Sequence, residues 1–445
     1  MSKYAEIIAK DVTFTMADDE TLDIENLNKC INKHISLTRR RYSKLKKAYE
    51  NDYPTLHYPN KAEYKPDNRI IVNYAKYIVD TFNGFFIGIP IKISSEQKEI
   101  AEYINLLDKY NDQDDNNAEL SKKCSIFGKC YEMYFVDKNG EIGITYLDPT
   151  EAFMIYDESV IPEPRYFVSY YRDSNKVLHG VVSDARKKYA FTDRGGLHYI
   201  DDEEKIHGFE GVPANEYVEN AEKMSAFESV YSMINAYNKA LSEKANDVDY
   251  FADAYLKVIG AKLDEDGIIH IRNNRIINFD DDSTNIDVSF LEKPNADTTQ
   301  ENLINRLERL IFQMSMVANI NDENFGTSSG IALKYKLLSM SNLAKTKERK
   351  FTSGMNRRYK LIFSNPVNSM RKDGWLDINY KFSQNYPANV LEETQIAQNL
   401  EGIVSKDTQL SSLSIIEDVQ EEKDKIEHED ETAKQSIVDE RMFNQ

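Results

Sequence analysis

The chain has 445 residues, of which 41% are apolar and 29% charged, with a formal net charge of −19. That length suits two to four compact domains, and the acidity excludes a molecule that binds DNA simply by being basic all over. No run reaches the ~20 apolar residues a membrane helix needs; the most apolar stretch, FFIGIPI at 85–91, is broken by Gly88 and Pro90.

The opening MSKYAEIIAKDVTF has an early lysine but no apolar stretch behind it, so no signal peptide is expected. The first ~60 residues read helical and basic, with Arg39, Arg40, Arg41, Lys44, Lys46 and Lys47 close together. Two readings stand: a solvated helix face, or a patch that meets an acidic partner or nucleic acid. From 61 to 220 the text is mixed α/β. RIIVNYAKYIVDTFNGFFIG predicts a helix through Ile71, Tyr74, Ala75, Ile78 and Val79, stopping at Gly84. YEMYFVDKNGEIGITYL predicts a hairpin turning at Asn139-Gly140. RYFVSYY, VLHGVV, KKYAFT and LHYI predict further strands in a meandering sheet.

At 225 the sequence turns helical. Ser225 and Glu228 have the spacing of a capping box, and no glycine or proline follows until Gly260. A short β insert is expected over 260–296, punctuated at Asp266-Gly267 and Asn273-Asn274. Thr298 and Glu301 have capping-box spacing again. The stripe Leu303, Leu307, Leu310, Ile311, Met314, Val317 then predicts a helix over 299–319, about 30 Å long. The two helices should form a hairpin with a β tip. After the polar loop INDENFGTSSG a long helix is expected from about 329 to 363. It carries Lys334, Lys336, Lys345, Lys347, Arg349, Lys350, Arg357, Arg358 and Lys360 against the one acid Glu348. WLDINYKF (375–382) predicts a strand. The end, IIEDVQEEKDKIEHEDETAKQ, reads as a peripheral helix or a partly disordered tail.

The residues offer little catalytic chemistry. Gly326-Thr327-Ser328-Ser329-Gly330 fits G-x-S-x-G, but a nucleophile elbow needs a strand before the serine and an acid and histidine after it. Here a helix end precedes it, and only His428 lies downstream. There is no phosphate-binding loop or dinucleotide fingerprint, so no cofactor is called for. Cys124 and Cys130 flank SIFGK without nearby histidines and read as small buried residues. The odd cysteine count, Cys30 included, suits a reducing compartment. No metal site is expected: NFDDDSTN (278–285) reads as an exposed acidic turn before a cation site.

Taken in order, four segments resemble the portal proteins of tailed bacteriophages, the SPP1-type group. They are NRIIVNYAKYIVDTFNGFFIGIPIKI, CSIFGKCYEMYFVDKNGEI, EGVPANEYVENAEKMSAFESVYSMINAYNKALSEKANDV and ENFGTSSGIALKYKL. The likeness covers about 60 to 430. It implies an α+β portal fold with a mixed α/β wing, a long-helix stem hairpin, a small β clip and a helical C-terminal crown. The wing would take 1–235, the stem helices 236–257 and 299–319, the clip 258–298 and the tunnel loop 320–330. Residues 331–390 would form the long basic helix and a wing strand, and 391–445 the crown and acidic tail.

The resemblance also implies a homo-oligomeric ring, twelve subunits in the virion, at one capsid vertex. Such a ring conducts double-stranded DNA during packaging and ejection and is assembled in the bacterial cytoplasm. It docks the terminase large subunit, then a head-completion connector protein, and meets the major capsid and scaffolding proteins. ATP hydrolysis belongs to terminase, so the chain itself would be no enzyme.

A conduit must not hold DNA, because each phosphate neutralised adds affinity. Asp322, Glu323, Asn324, Gly326, Thr327, Ser328, Ser329 and Gly330 fit a small, polar, non-basic loop, with glycines that permit unusual backbone conformations. Lys334 and Lys336, next to it, either touch phosphates or, with the rest of the basic helix, pair with a neighbouring subunit. Asp264, Glu265, Asp266, Asn273, Asn274 and Arg275 are the expected docking residues of the clip. The alternatives are a DNA-processing enzyme, such as a carboxylate-dependent nuclease, and a non-viral scaffold of helical hairpins.

Overall fold

Asp23 starts the first helix: its carboxylate accepts the Asn26 amide at 2.8 Å, as an N-cap should. Helix α1 (Ile24–Leu37) runs through one π-turn, Thr38–Tyr42, into α2 (Ser43–Tyr49). The computed structural model describes residues 8–62, 65–200, 205–252, 256–259, 287–290, 297–320, 330–385 and 390–413, with 415–416, 419–420 and 422–429. The wide turn carries an extra residue and places Arg41 inside, at 1% exposure. Its guanidinium takes both Glu228 oxygens, at 2.7 and 2.8 Å, and the carbonyls of Ala9 and Lys223. Arg41 therefore leaves the expected basic patch and becomes a core ion pair.

Helix α3 (Tyr74–Ile87) is capped by Asn73, which accepts from the Lys76 amide. It does not stop at Gly84. Phe85, Phe86 and Ile87 are buried, and burying three large side chains outweighs the ~1 kcal/mol that a helical glycine costs. The helix ends at Gly88, whose N–H reaches the Gly84 carbonyl at 3.1 Å. Strand β2 (Lys92–Ser95) and helices α4 (Lys98–Tyr110) and α5 (Gln113–Phe127) follow.

The expected hairpin is present: β3 (Lys129–Val136) pairs antiparallel with β4 (Ile142–Leu147). Its turn has Gly140 at φ +83°, which favours glycine. The Asp137 carboxylate accepts the amides of Asn139 and Glu141. The strands continue as β5 (Ala152–Tyr156), β6 (Pro164–Arg172), β7 (Leu178–Ser183), β8 (Lys187–Thr192), β9 (His198–Tyr199), β10 (Lys205–Ile206) and β11 (Ala214–Val218). They make two sheets. One has seven strands in the order β1-β5-β6-β7-β8-β10, with β1 being Phe14–Thr15 and β9 pairing β8; the other is β11-β3-β4. The meander expected over 165–200 is therefore found.

His34 of α1 packs under the larger sheet at 1% exposure, its ring against Phe14, Phe153 and Tyr42. Nε2 lies 2.9 Å from the Pro149 carbonyl and Nδ1 2.6 Å from the Tyr170 hydroxyl. The tautomer that satisfies both donates from Nε2 and accepts at Nδ1. Burial pushes its pKa down to about 4; the Pro149 hydrogen bond recovers only part of that. A depressed folded pKa means stability is present above the unfolded value, ~6.5, and lost as pH falls toward 4. The loss is on the order of 3 kcal/mol. Between those pH values the Tm of the native sequence should fall more steeply than that of His34→Gln; equal slopes would contradict the burial argument.

Ser225 begins the helical half with part of the expected box: its amide donates to Glu228 at 3.0 Å. The first turn is 3₁₀, Glu228–Val230, before α6 (Tyr231–Ala252). Strands β12 (Leu256–Ile259) and β13 (Asp287–Phe290) pair antiparallel. Helix α7 (Asp297–Ser315) returns along α6, with Lys244 on Glu301 and Gln300 on Asp247 at 2.7 Å. Helix–strand pair–helix is thus the hairpin the sequence predicts. Helix α8 (Gly330–Lys336) and helix α9 (Leu338–Ser364) replace the single helix expected over 329–363. They meet at Leu337, where ψ is −1° and the side chain is buried. Trp375-Leu376-Asp377 lies in a 3₁₀ turn, and only β14 (Ile378–Lys381) is strand, paired with β2. Helices α10 (Val390–Asn399) and α11 (Lys406–Leu410) follow.

Candidate functional site

The cations of the long helix α9 fall into three groups: Lys347 and Arg358 buried, Lys350 and Arg357 half-buried, and Lys345, Arg349 and Lys360 exposed. Lys347 and Arg358 are eleven residues apart. At 100° per residue that is three turns plus about 20°, so both lie on one face. That face is inside: Lys347 is 1% and Arg358 0% exposed, with Phe351, Met355 and Ile362 along the same stripe. Lys334, Lys336, Lys345, Arg349 and Lys360 are exposed.

Arg358 donates Nε to Glu132 Oε2 at 2.8 Å and Nη2 to Oε1 at 2.7 Å, and Nη2 also reaches Asn117 Oδ1 at 2.7 Å. The hydroxyls of Tyr134 and Tyr217 add two donors to the same carboxylate, at 2.7 and 3.1 Å. Burial pushes the guanidinium toward losing its proton, but the Glu132 carboxylate and the oxygens of Tyr217, Tyr359 and Tyr134 together outweigh that and hold the pKa well above the usual value. Lys347 sits 2.7 Å from Glu219, donates to Ser125 Oγ and the Ser121 carbonyl, and lies against the rings of Phe82 and Phe86.

A third buried pair lies beneath. Lys129 meets Asp11 at 2.9 Å and Glu216 at 3.5 Å, and Lys223 meets Glu216 at 2.6 Å. Burial alone would raise the Glu216 pKa; Lys129 and Lys223 outweigh it and bring it down to about 2. These buried cations join α9 and the β3–β11 sheet to acids of the same chain, because a buried charge must be paired. The expectation that the whole basic helix faces neighbouring subunits is therefore corrected for Lys347 and Arg358. Gly354, between them, is equally constrained: a Cβ there would lie 2.4 Å from the Tyr217 ring.

The residues of CSIFGKCYE fall at this junction. Cys124 and Cys130 are buried, as expected, and burial pushes both thiols up. Gly128 has φ +89°, and a Cβ there would meet the Lys223 carbonyl at 2.0 Å. Glu132 is the anion that receives Arg358.

The expected loop is placed less fully. Asp322, Glu323, Asn324, Gly326, Thr327, Ser328 and Ser329 lie outside the described residues, as do Asp264, Glu265, Asp266, Asn273, Asn274 and Arg275, and the acidic turn 278–285. Gly330 is the first residue of α8. Before the loop, α7 ends at Ser315 and the next residue, Met316, is in a left-handed conformation with φ 59°. Ala318 and Ile320 are pinned to the Tyr77 hydroxyl through their carbonyl and amide. Among the described residues, 316–320 contain no strand; the residues directly before Ser328, where a nucleophile elbow needs one, lie outside the described residues. Lys334 and Lys336, both exposed, lie on α8, the short helix that directly follows the loop.

The α6/α7 hairpin leaves apolar surface uncovered. Ile304 and Ile311 are buried, but Leu303 is 51% and Met314 48% exposed, and Val248 of α6 is 62% exposed. Of the expected stripe, Ile311 and Val317 are buried and Leu307 and Leu310 partly buried, while Leu303 and Met314 are exposed; Ile304, outside the expected stripe, is buried with them. Among the described residues, no helix is long and apolar enough to cross a membrane.

The model of the family described as phage portal protein, SPP1 Gp6-like, matches residues 28–436. A relative, the portal protein of Bacillus phage SPP1, is 24% identical over 404 residues, which cover 82% of this chain and 76% of that protein.

Proposed function

Since this chain belongs to the SPP1 Gp6-like family of phage portal proteins, we propose that it assembles into a ring at one capsid vertex and conducts double-stranded DNA during packaging and ejection. The family match across 28–436 carries the reading, because it spans both the sheet-containing half and the helical half. The uncovered Leu303, Met314 and Val248 support it, since an apolar helix stripe left exposed in one chain marks a contact with another.

In this reading 1–235 form the wing, α6 and α7 the stem, 258–298 the clip, 320–330 the tunnel loop and 391–445 the crown. Asp322 to Gly330 face the channel. Lys334 and Lys336 contact either DNA or the adjacent subunit. Asp264 to Asp266 and Asn273 to Arg275 dock the terminase large subunit and then the connector protein. The chain acts in the virion as a conduit with no catalytic centre of its own, and nothing among the described residues favours a nuclease. Its subunits would be twelve in the virion, held among capsid and scaffolding proteins after assembly in the host cytoplasm.

Native mass measurement with negative-stain microscopy tests this directly. The expected result is a toroid with a central hole, at a multiple of the 51.5 kDa chain mass. A compact monomer that persists at high protein concentration would overturn the reading.

A further inference from the structure

The β5–β6 hairpin ends in a tip, Asp157 to Glu163, that presents bare apolar side chains. Val160 is fully exposed and Ile161 is 80% exposed. The tip is nevertheless rigid. Asp157 Oδ1 accepts from the Ser159 amide, the Ser159 hydroxyl and the Glu163 amide, at 3.3, 2.8 and 2.9 Å. The Asp157 amide donates to the Glu163 carbonyl at 3.0 Å, and the Ile161 carbonyl, 2.6 Å from Ser159 Oγ, is a second acceptor within reach of that single hydroxyl proton. Just behind, Arg165 clamps the hairpin to the carbonyls of Met16, Ala17 and Glu20. A preorganised apolar knob loses little entropy on binding, and its exposure is otherwise unfavourable.

The same chain carries a matching hollow. A groove of about 310 Å³ lies between strand β3 and the face of β7, β8 and β10. Phe135, Val181 and Ala190 line it together with Ile206, which is 79% exposed, and Lys188 and Lys205 bring cations to it. The knob carries the opposite charge: Glu158 and Glu163 flank Val160 and Ile161 and are exposed. Because the knob is bare, it does not occupy its own chain's groove.

We propose that Val160 and Ile161 of one subunit seat in the Phe135–Val181–Ile206 groove of the next copy, with Glu158 and Glu163 against Lys188 and Lys205. Knob and groove are different surfaces, so the contact is head-to-tail, the type that closes a ring where the rotation allows. The inference rests on the ring reading and adds the wing contact that sets one subunit against the next.

Two chains, each with one accessible cysteine, test it: Ile161→Cys and Ile206→Cys, both with Cys30→Ser so that the two native cysteines left, Cys124 and Cys130, are buried. Co-assembled and treated with a short bismaleimide, they should give a covalent dimer that neither chain gives alone. The pair Val160→Ser and Ile161→Ser, on an exposed turn, should leave the chain folded by circular dichroism while weakening each subunit interface about tenfold, the effect of losing 1.4 kcal/mol there, so that repetition around the ring lowers the ring fraction by much more. Lys188→Glu should weaken assembly, and Glu163→Lys in the same chain should restore it. Native rings that give no mixed crosslink, with serine variants assembling at the native level, overturn the proposal alone. So do serine variants that form rings but fail to enter capsids, since the knob would then meet a different protein. A native chain that stays monomeric overturns the ring reading and this contact with it.

Discussion

Arg358→Ala should lower the unfolding free energy by about 3–5 kcal/mol, read by urea or thermal unfolding. The side chain is fully buried and gives three hydrogen bonds, two to Glu132 and one to Asn117. Its removal leaves the Glu132 carboxylate, 2% exposed, with only the Tyr134 and Tyr217 hydroxyls. An uncompensated buried charge is the dominant cost, larger than the lost contacts. The partner variant separates the two. Arg358→Met combined with Glu132→Leu removes both charges and should be less damaging than Arg358→Ala alone, even though it leaves the two tyrosine hydroxyls and Asn117 short of partners. A loss under about 1 kcal/mol for Arg358→Ala would show that α9 is held by its apolar stripe and not by this ion pair.

That pair also marks where sequence reasoning stopped. Arg358 and Glu132 are 226 residues apart, and no local rule links an arginine on a helix to a glutamate on a strand so distant. The helix did carry a usable signal. Lys347, Phe351, Gly354, Met355, Arg358 and Ile362 recur at helical spacing, so the two cations share the apolar face. Arg41 had no such signal, since its inward aim depends on a π-turn that residue pattern does not announce. By contrast, the meander and the β3–β4 hairpin were legible because alternation and Asn-Gly turns are local properties. Helix ends were less so. Gly84 lies inside α3 because tertiary burial of Phe85, Phe86 and Ile87 overrides propensity. The stripe from Leu303 to Val317 predicted a helix correctly, and Ile311 and Val317 are buried, but its outer members Leu303 and Met314 are exposed, which helical periodicity alone does not distinguish.

The channel proposal makes its largest demand on charge. If the loop at 321–330 lines a DNA path, Ser328→Lys places one new cation per subunit around it, repeated by the symmetry of the ring. Each lysine that reaches a phosphate adds about 0.9 to the slope of log affinity against log salt. Six or more such contacts change DNA affinity by roughly 10³-fold or more between 50 and 200 mM salt. Packaging by rings of Ser328→Lys should therefore stall at low salt and recover as salt rises, while ring formation is unchanged. Ser328→Asp, which adds an anion to a loop already bearing Asp322 and Glu323, should package without that salt dependence. The decisive comparison is DNA packaged per head across a salt series, scored against rings confirmed by microscopy. If Ser328→Lys packages as the native chain does at 50 mM salt, the loop does not approach the phosphates, and the nearest exposed cations, Lys334 and Lys336, become the place to look for DNA contact.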